Sequence, residues 1–260
     1  MNYLVSVITV VYNSAKTIER CIKSVLIQDY QNLEYIVIDG GSTDGTVEII
    51  EKYRDKIAYF RSQSDQGIYD AMNAGIQVAK GDIIVLLNAD DWFEADAISI
   101  GVDTLARQNK ADIVHANIMI HKNDKQQISR CRGGDLSTFF WKGMRYNHPS
   151  FFVRRAVYER HLYDMKYKIA ADYKFTMMCL KDEINFYFLD QALVHFQAGG
   201  KSSCFWARLY EGHRIRIDLG FNGVLVLCST VFQFSWALAS LLKNRLRNIK
   251  KIMESAQEAE

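Results

Sequence analysis

Residues 4–13 read Leu-Val-Ser-Val-Ile-Thr-Val-Val-Tyr-Asn, and residues 83–91 read Ile-Ile-Val-Leu-Leu-Asn-Ala-Asp-Asp. Each is a short β-branched and apolar run that stops abruptly at polar groups. A near-continuous apolar run of this length predicts a strand buried on both faces. The same signal recurs at 34–38, ending in Asp39-Gly-Gly-Ser-Thr-Asp-Gly45, and 57–61 reads as a third strand. Between these runs the spacing turns helical: Ile18, Ile22, Val25 and Leu26; Val47, Ile50 and Tyr53; Ile68, Met72, Ile76 and Ala79. A helix over 96–108 and a strand over 112–116 continue the alternation. Strands alternating with helices over short connections predict an α/β fold, with a mostly parallel sheet covered by helices on both faces. Ligands of such sheets sit beyond the carboxyl ends of the strands. Three polar clusters, Tyr12-Asn13, 39–44 and 88–91, then share one edge and define the expected site.

The periodicity weakens after Asn117. Residues 121–149 are polar and aromatic, with Arg130, Arg132, Gly133 and Gly134, and read as a flexible lid or acceptor loop. Order resumes with a strand at 150–153, a helix at 171–180, and strands near 185–189 and 193–196.

Composition narrows the function classes. The chain has 260 residues, 49% hydrophobic and 24% charged, enough for a sizeable core without disulfide staples. Lys+Arg 32 against Asp+Glu 30 gives no dominant basic surface, so no nucleic-acid partner is expected. The 5 Cys are widely spaced with no CxxC pair, which fits a reducing compartment and excludes a zinc ribbon. No basic segment followed by an apolar one opens the chain, so no signal peptide is expected.

The chemistry concentrates at the strand ends. Asp90 and Asp91 directly follow a buried strand, where oxygen ligands suit a hard cation such as Mg²⁺ or Mn²⁺. Two carboxylates suffice when the ligand brings a diphosphate; the plain alternative is a solvated turn or helix cap. In the 39–45 loop, Gly40 and Gly41 let backbone approach a ligand closely. Asp39 at the strand end is the candidate there, and 42–44 reads as a turn with its own cap.

Five stretches together resemble the family 2 glycosyltransferases, a large inverting group with the GT-A fold. They are Ser6-Val-Ile-Thr-Val-Val-Tyr-Asn13, Ile38-Asp-Gly-Gly-Ser-Thr-Asp-Gly45, Asp65-Gln-Gly-Ile-Tyr-Asp-Ala-Met-Asn-Ala-Gly75, Ala79-Lys-Gly81 and Leu87-Asn-Ala-Asp-Asp91. The resemblance is strong over 4–92, thinner over 147–203 and absent over 205–260. It implies a GT-A domain over 1–203, with a nucleotide-sugar half (1–117) and an acceptor half (118–203). Thr9, Val11, Tyr12 and Asn13 would line the base and ribose pocket. Asp39 would hydrogen-bond the nucleoside, and Asp65 with Gly67 would close over the donor. Asn88, Ala89 and Asp90 stand where the family carries Asp-x-Asp, so Asp90 would bind the Mn²⁺ or Mg²⁺ that bridges the donor diphosphate. Asn88 departs from that pattern and brings no charge. In Ile169-Ala-Ala-Asp-Tyr-Lys-Phe175, Asp172 would be the general base, with Ala171 replacing the family's first acid. Gln197-Ala-Gly-Gly-Lys-Ser202 is similar to the family's closing loop. His148, in Asn147-His-Pro-Ser150, and Asp91 are acceptor-side candidates; His195 reads as a packed strand residue.

The resemblance implies transfer from a nucleoside-diphosphate sugar, most often a UDP-sugar, with inversion at the anomeric carbon. The rival readings are a non-catalytic nucleotide-sugar-binding or scaffolding protein of the same fold, and a nucleotidyltransferase. Residues 12–20 lack the Gly-rich phosphate loop that the latter needs.

The C-terminal segment 204–260 reads differently. No charged residue stands between Asp218 and Lys243, and Lys243, Arg245, Arg247, Lys250 and Lys251 follow. The run is about long enough to span a bilayer. A single crossing conflicts with keeping both the catalytic domain and the basic tail in the cytosol. Two in-plane helices or a shallow hairpin on the inner leaflet are expected instead. A packed hairpin or a homo-oligomer contact through these helices is the alternative. A membrane-facing tail with this family resemblance implies a lipid-linked saccharide acceptor, as in bacterial O-antigen, lipopolysaccharide or capsule synthesis. The location is then cytoplasmic and peripheral on the inner membrane.

Overall fold

A computed structural model describes residues 3–123, 125–130, 133–199 and 204–257, with residues 241 and 244–257 described by backbone alone. Four strands, β1 (Val5–Val11), β2 (Leu33–Asp39), β3 (Tyr59–Ser62) and β4 (Ile83–Asn88), form the parallel part of the sheet in the order β3-β2-β1-β4. Helices α1 (Ile18–Leu26), α2 (Thr46–Glu51) and α3 (Ile68–Val78) connect them. β1, most of β2 and β4 are buried on both faces, to which successive side chains point in turn, whereas β3 at the sheet's end stays half-buried to exposed. Val5, Val7 and Val11 of β1 pack in one apolar layer with Ile18, Ile22 and Val25 of α1. Ile8 and Val10 face the other layer, with Met72 and Ile76 of α3. Gly75 lets α3 approach this closely, since a Cβ there would lie 2.4 Å from Ile8 Cγ2.

Beyond β4 the sheet becomes mixed. The two-residue β5 (Trp92–Phe93) is followed by α4 (Ala97–Arg107), the long β6 (Ile113–Lys122) and β7 (Lys125–Ser129). Helix α5 (Leu136–Lys142), strand β8 (Phe152–Arg154), helices α6 (Arg155–Arg160) and α7 (Ala171–Lys181) and strand β9 (Phe186–Gln197) complete the domain. β8 lies antiparallel between β4 and β6, and β9 runs parallel to β6.

Two expectations change here. Residues 121–149 are a structured hairpin arm and helix, except for positions 124, 131 and 132, which lie outside the described residues; Arg132 is among them. β7 is a mostly exposed edge strand and so carries no apolar signature. α5 is capped by Asp135, whose Oδ1 accepts from Thr138 N at 2.8 Å. The strands expected at 185–189 and 193–196 are one strand, β9. Its pairing with β6 shifts register around Ala116–Ile118, which interrupts the alternation seen in sequence.

The C-terminus forms α8 (Phe205–Asp218) and α9 (Gly223–Gln257). The apolar run is one continuous helix, not a pair, and its hairpin partner is α8. One side of this pair belongs to the domain: Ile215 and Val226 are fully buried in the same apolar cluster as Phe139, Tyr173 and Phe175. Along the rest of α9, Val224, Leu227, Val231 and Trp236 are each more than half exposed. Gly223–Ser240 has a mean hydropathy of 1.5 and is long and apolar enough to cross a membrane.

Candidate active site

Parallel pairing sets the strand ends level. Val11 pairs with Asp39, Val10 with Asn88, and Asp39 with Ser62. The loops that follow therefore meet at one edge, and hydrogen bonds tie them together. Asn13, whose left-handed φ of 48° an asparagine tolerates, donates its N–H to Ser42 Oγ at 2.7 Å. Its Oδ1 accepts from Thr43 N at 2.9 Å. Asp39 is buried, and its carboxylate accepts from Gly41 N, Ser42 N, Ser42 Oγ and Ser62 Oγ at 2.5–3.0 Å. Asp65 packs against Gly40 and accepts from Gly67 N at 2.8 Å. Gly67 has φ 119°, a conformation that requires glycine at the start of α3.

At the end of β4, Asp91 is fully buried. Its Oδ1 accepts from Gln197 N at 2.9 Å and its Oδ2 from Asn88 Nδ2 at 3.1 Å. Burial and the neighbouring Asp90 push its carboxyl up to about 8. The bond from Nδ2 fixes the amide of Asn88, and Oδ1 is left buried without a partner. Asp90 is half-buried, and burial raises its pKa. Arg20 braces this loop: Nη2 donates to Asp90 O at 3.0 Å, and the guanidinium lies 3.5 Å over the Trp92 ring. Beyond it, Trp92 stacks on His195, which bridges Glu94 Oε1 at 2.7 Å and His121 Nε2 at 2.8 Å. His195 is thus a packed residue of β9.

Asp172 stands in the first turn of α7. Its Oδ1 accepts from Tyr173 N at 2.8 Å and from Tyr69 OH at 3.2 Å. Among the described residues Oδ2 has no hydrogen-bond partner. The link to Tyr69 joins Asp172 to the donor-side loop, and Lys168 Nζ adds a second tie to Gln66 O at 3.0 Å. Ala171 is completely buried, so the acid that the family pattern places there would have no solvent.

The structure brings Tyr12, Asn13, Asp65, Gly67, Asn88 and Asp90 to the edge, with Asp172 joined through Tyr69. It does not bring all the expected residues there. Thr9 is fully buried beneath the sheet, where its hydroxyl pairs with Tyr35 OH at 3.0 Å. Val11 and Ala89 are buried in the same apolar layer. Asp39 reaches the edge through the loop it orders. His148 is buried against Tyr163, with Nε2 2.6 Å from its hydroxyl, and burial lowers its pKa. In the closing loop, residues 200–203 lie outside the described residues. The sequence does not single out Tyr69 or Arg20. Tyr69 sits inside a quoted motif, but a core tyrosine carries no sign of its partner; Arg20 looks like any exposed helix charge.

The residues fit a hard cation. Asn88 Oδ1 is a buried oxygen lacking a partner, and Asp90, two residues on, supplies a carboxylate. No group of three His, Cys, Asp or Glu among the described residues would hold an ion unaided. Ligand oxygens would have to complete the shell, as is usual for Mg²⁺ on one or two carboxylates.

Known proteins resemble this chain in sequence and in fold. The Glycosyl transferase family 2 profile matches residues 6–188. A PGL/p-HBAD biosynthesis glycosyltransferase of Mycobacterium tuberculosis is 28% identical over 184 residues, covering 68% of this chain and 70% of that protein. An uncharacterized glycosyltransferase of Haemophilus influenzae is 31% identical over 186 residues, covering 69% and 72%. Among solved structures, S. aureus TarS in complex with UDP-GlcNAc superposes with a TM-score of 0.67 at 18% identity, over 88% of this chain and 71% of that one. The mannosyltransferase PcManGT from Pyrobaculum calidifontis, in complex with GDP-Man and Mn²⁺, gives 0.66 at 18%, over 95% and 80%. The structural likenesses show the fold, GT-A. The profile covers most of the sequence, from the strand-end loop at Asn13 through Asp172 in α7, and this chain belongs to glycosyl transferase family 2.

Proposed function

We propose that the protein transfers a hexose from a nucleoside-diphosphate sugar, a UDP-sugar by preference, to an acceptor hydroxyl with inversion. The observation that carries this is the tie from the donor-side loop to Asp172 through Tyr69. Asp172 Oδ2 takes the acceptor proton as that oxygen attacks the anomeric carbon. The bond from the sugar to the diphosphate breaks on the opposite face. Asn13, Asp65 and the loop ordered by Asp39 hold the nucleoside end. A Mg²⁺ or Mn²⁺ held by Asp90 and Asn88 Oδ1 would offset charge on the leaving diphosphate. The relatives support this reading: TarS is bound to UDP-GlcNAc, and PcManGT to GDP-Man with Mn²⁺. A donor screen with added Mn²⁺ or Mg²⁺, read as release of nucleoside diphosphate, tests it. Release from one donor, abolished by EDTA and restored by metal, is expected. Donor binding without turnover of any sugar nucleotide would favour the scaffolding alternative.

The acceptor, on the same proposal, is a polyprenyl-diphosphate-linked saccharide of O-antigen or capsule synthesis. The protein meets it as a peripheral protein on the cytoplasmic face of the bacterial inner membrane. Trp206, Tyr210, Val224, Leu227 and Trp236 expose a large apolar surface on α8 and α9. Lys243 and the basic residues after it stand at the end of that surface in sequence. Each basic residue near an anionic bilayer contributes ~1 kcal/mol. Flotation with vesicles of anionic lipid should be salt-sensitive and weakened by deleting residues 243–260. A defined dimer that ignores vesicles would assign the apolar face to self-association instead.

A further inference from the structure

Helix α8 lies outside the profile match, yet it reaches the turn that leads into Asp172 and α7. Glu211 on α8 accepts from three successive backbone amides. Oε1 takes Lys168 N at 2.9 Å, and Oε2 takes Ile169 N at 3.0 Å and Ala170 N at 2.8 Å. Ala170 is the residue just ahead of α7, and Asp172 is the second residue of that helix. The turn is held from the other side as well. Ile169 O accepts from Tyr69 OH at 3.0 Å, and the same hydroxyl bonds Asp172 Oδ1. Asp218, at the far end of α8, fixes the start of the segment through Lys166 Nζ and the Tyr167 hydroxyl. α8 itself is anchored by fully buried Ile215 and Arg216.

We infer that Glu211 is a positioning residue for glycosyl transfer: it fixes the 168–170 turn so that Asp172 faces the acceptor hydroxyl. This rests on the reading of Asp172 as the base. A carboxylate accepting from three amides is acceptor-only and bidentate, a task that few side chains can perform. Its negative charge also sits at the N-terminal end of α7, where the helix dipole favours an anion. Positioning of a catalytic group within a fraction of an ångström is what sets its rate contribution. Glutamine keeps one oxygen but turns an NH₂ donor toward a backbone donor, so it replaces Glu211 only in part.

The test uses the full chain and the sugar nucleotide selected by the donor screen, with water as acceptor and release of nucleoside diphosphate as readout. Glu211→Ala should lower kcat by roughly 10–100-fold, the cost of a misplaced catalytic group, with donor KM changed less than about twofold. Glu211→Gln should fall between it and wild type. In an Asp172→Asn background, Glu211→Ala should change the residual rate less than about twofold, because a turn that acts only through the base has nothing left to position. A merely structural role would cost the same in both backgrounds and overturns the inference. So does wild-type kcat in the Ala variant, or in the Gln variant if Ala does not fold. Full activity of Asp172→Asn alone removes the base reading, and the inference falls with it; a normal loss there with an inert Glu211 sinks the inference alone.

Discussion

Val7, Val37 and Val85 are shut from solvent on three neighbouring strands, whereas Val224, Leu227 and Trp236 of α9 are each more than half exposed. The two regions use apolar residues for different ends. In the sheet, each valine is explained by the protein around it, at roughly 1.5–3 kcal/mol per fully buried side chain. On α9 most of the apolar surface does nothing for the fold, so its occupant must be sought elsewhere. The boundary between the two uses does not fall at the start of α8. It runs along the helices: Ile215, Arg216 and Val226 belong to the domain, and the outward faces do not.

Truncation tests where that boundary falls, and it should give the largest effect. A chain ending at residue 203 loses Glu211, Ile215 and Val226 together. Each buried aliphatic lost costs about 2–5 kcal/mol, against a total stability of ~5–15 kcal/mol. That fragment should show no cooperative unfolding transition and no donor turnover. A chain ending at Leu242 should keep its melting temperature and its donor hydrolysis. A folded, active 1–203 fragment would break the comparison, since α8 would then be as dispensable as the outer face of α9.

The next effect is chemical. Asp172→Asn keeps the shape and the bonds to Tyr69 OH and Tyr173 N while removing basicity. Turnover should fall by ~10²–10⁴-fold, with donor affinity unchanged. Loss of donor binding, seen by calorimetry, would instead make Asp172 a structural cap of α7.

How much of this could be read from the sequence depended on burial. β1, β2 and β4 are sealed on both faces, so their apolar runs and polar stops were visible, and parallel pairing then put the stops on one edge. β7 buries little and carries no apolar signal, and β9 reads as two strands because its pairing shifts register midway. At the site, residue type was legible but direction was not. Thr9 and Asn13 both belong to the first motif; one hydroxyl points into the core and the other residue shapes the edge. Glu211 was illegible for a different reason. A glutamate on a helix is ordinary, and its three amide partners lie about forty residues earlier, brought together only by the packing of α8 on α7.

A smaller change sharpens the account of the donor edge. Asn88→Asp places a third carboxyl beside Asp90 and buried Asp91. Ligand charge tunes sites of this kind, so the cation concentration for half-maximal activity should fall roughly tenfold. Without metal and above about pH 8, where Asp91 is ionised, the variant should melt lower, because the new carboxylate would face Asp91 without the Nδ2 donor that now joins Asn88 to it. A variant with unchanged metal demand would mean that position 88 does not approach the cation.

Thr9→Val should have the smallest effect, and it separates the edge from the layer beneath it. The Thr9 hydroxyl is buried with Tyr35 OH at 3.0 Å and Cys21 Sγ at 3.6 Å. Valine matches its shape and fills the apolar layer shared with α1, but it leaves the Tyr35 hydroxyl short of a partner. An unsatisfied buried hydroxyl costs about 1–3 kcal/mol, offset in part by the added methyl. Thermal unfolding should therefore shift down by a few degrees, with urea m-value unchanged. Donor KM should not move, because Thr9 brings no exposed atom to the edge. A raised KM at unchanged stability would mean that the nucleoside reaches deeper between β1 and β2 than the loop ordered by Asp39 allows, and that Thr9 belongs to the pocket as its motif implies. Comparing the two readouts in one variant assigns the residue, because fold and ligand make opposite demands on that hydroxyl.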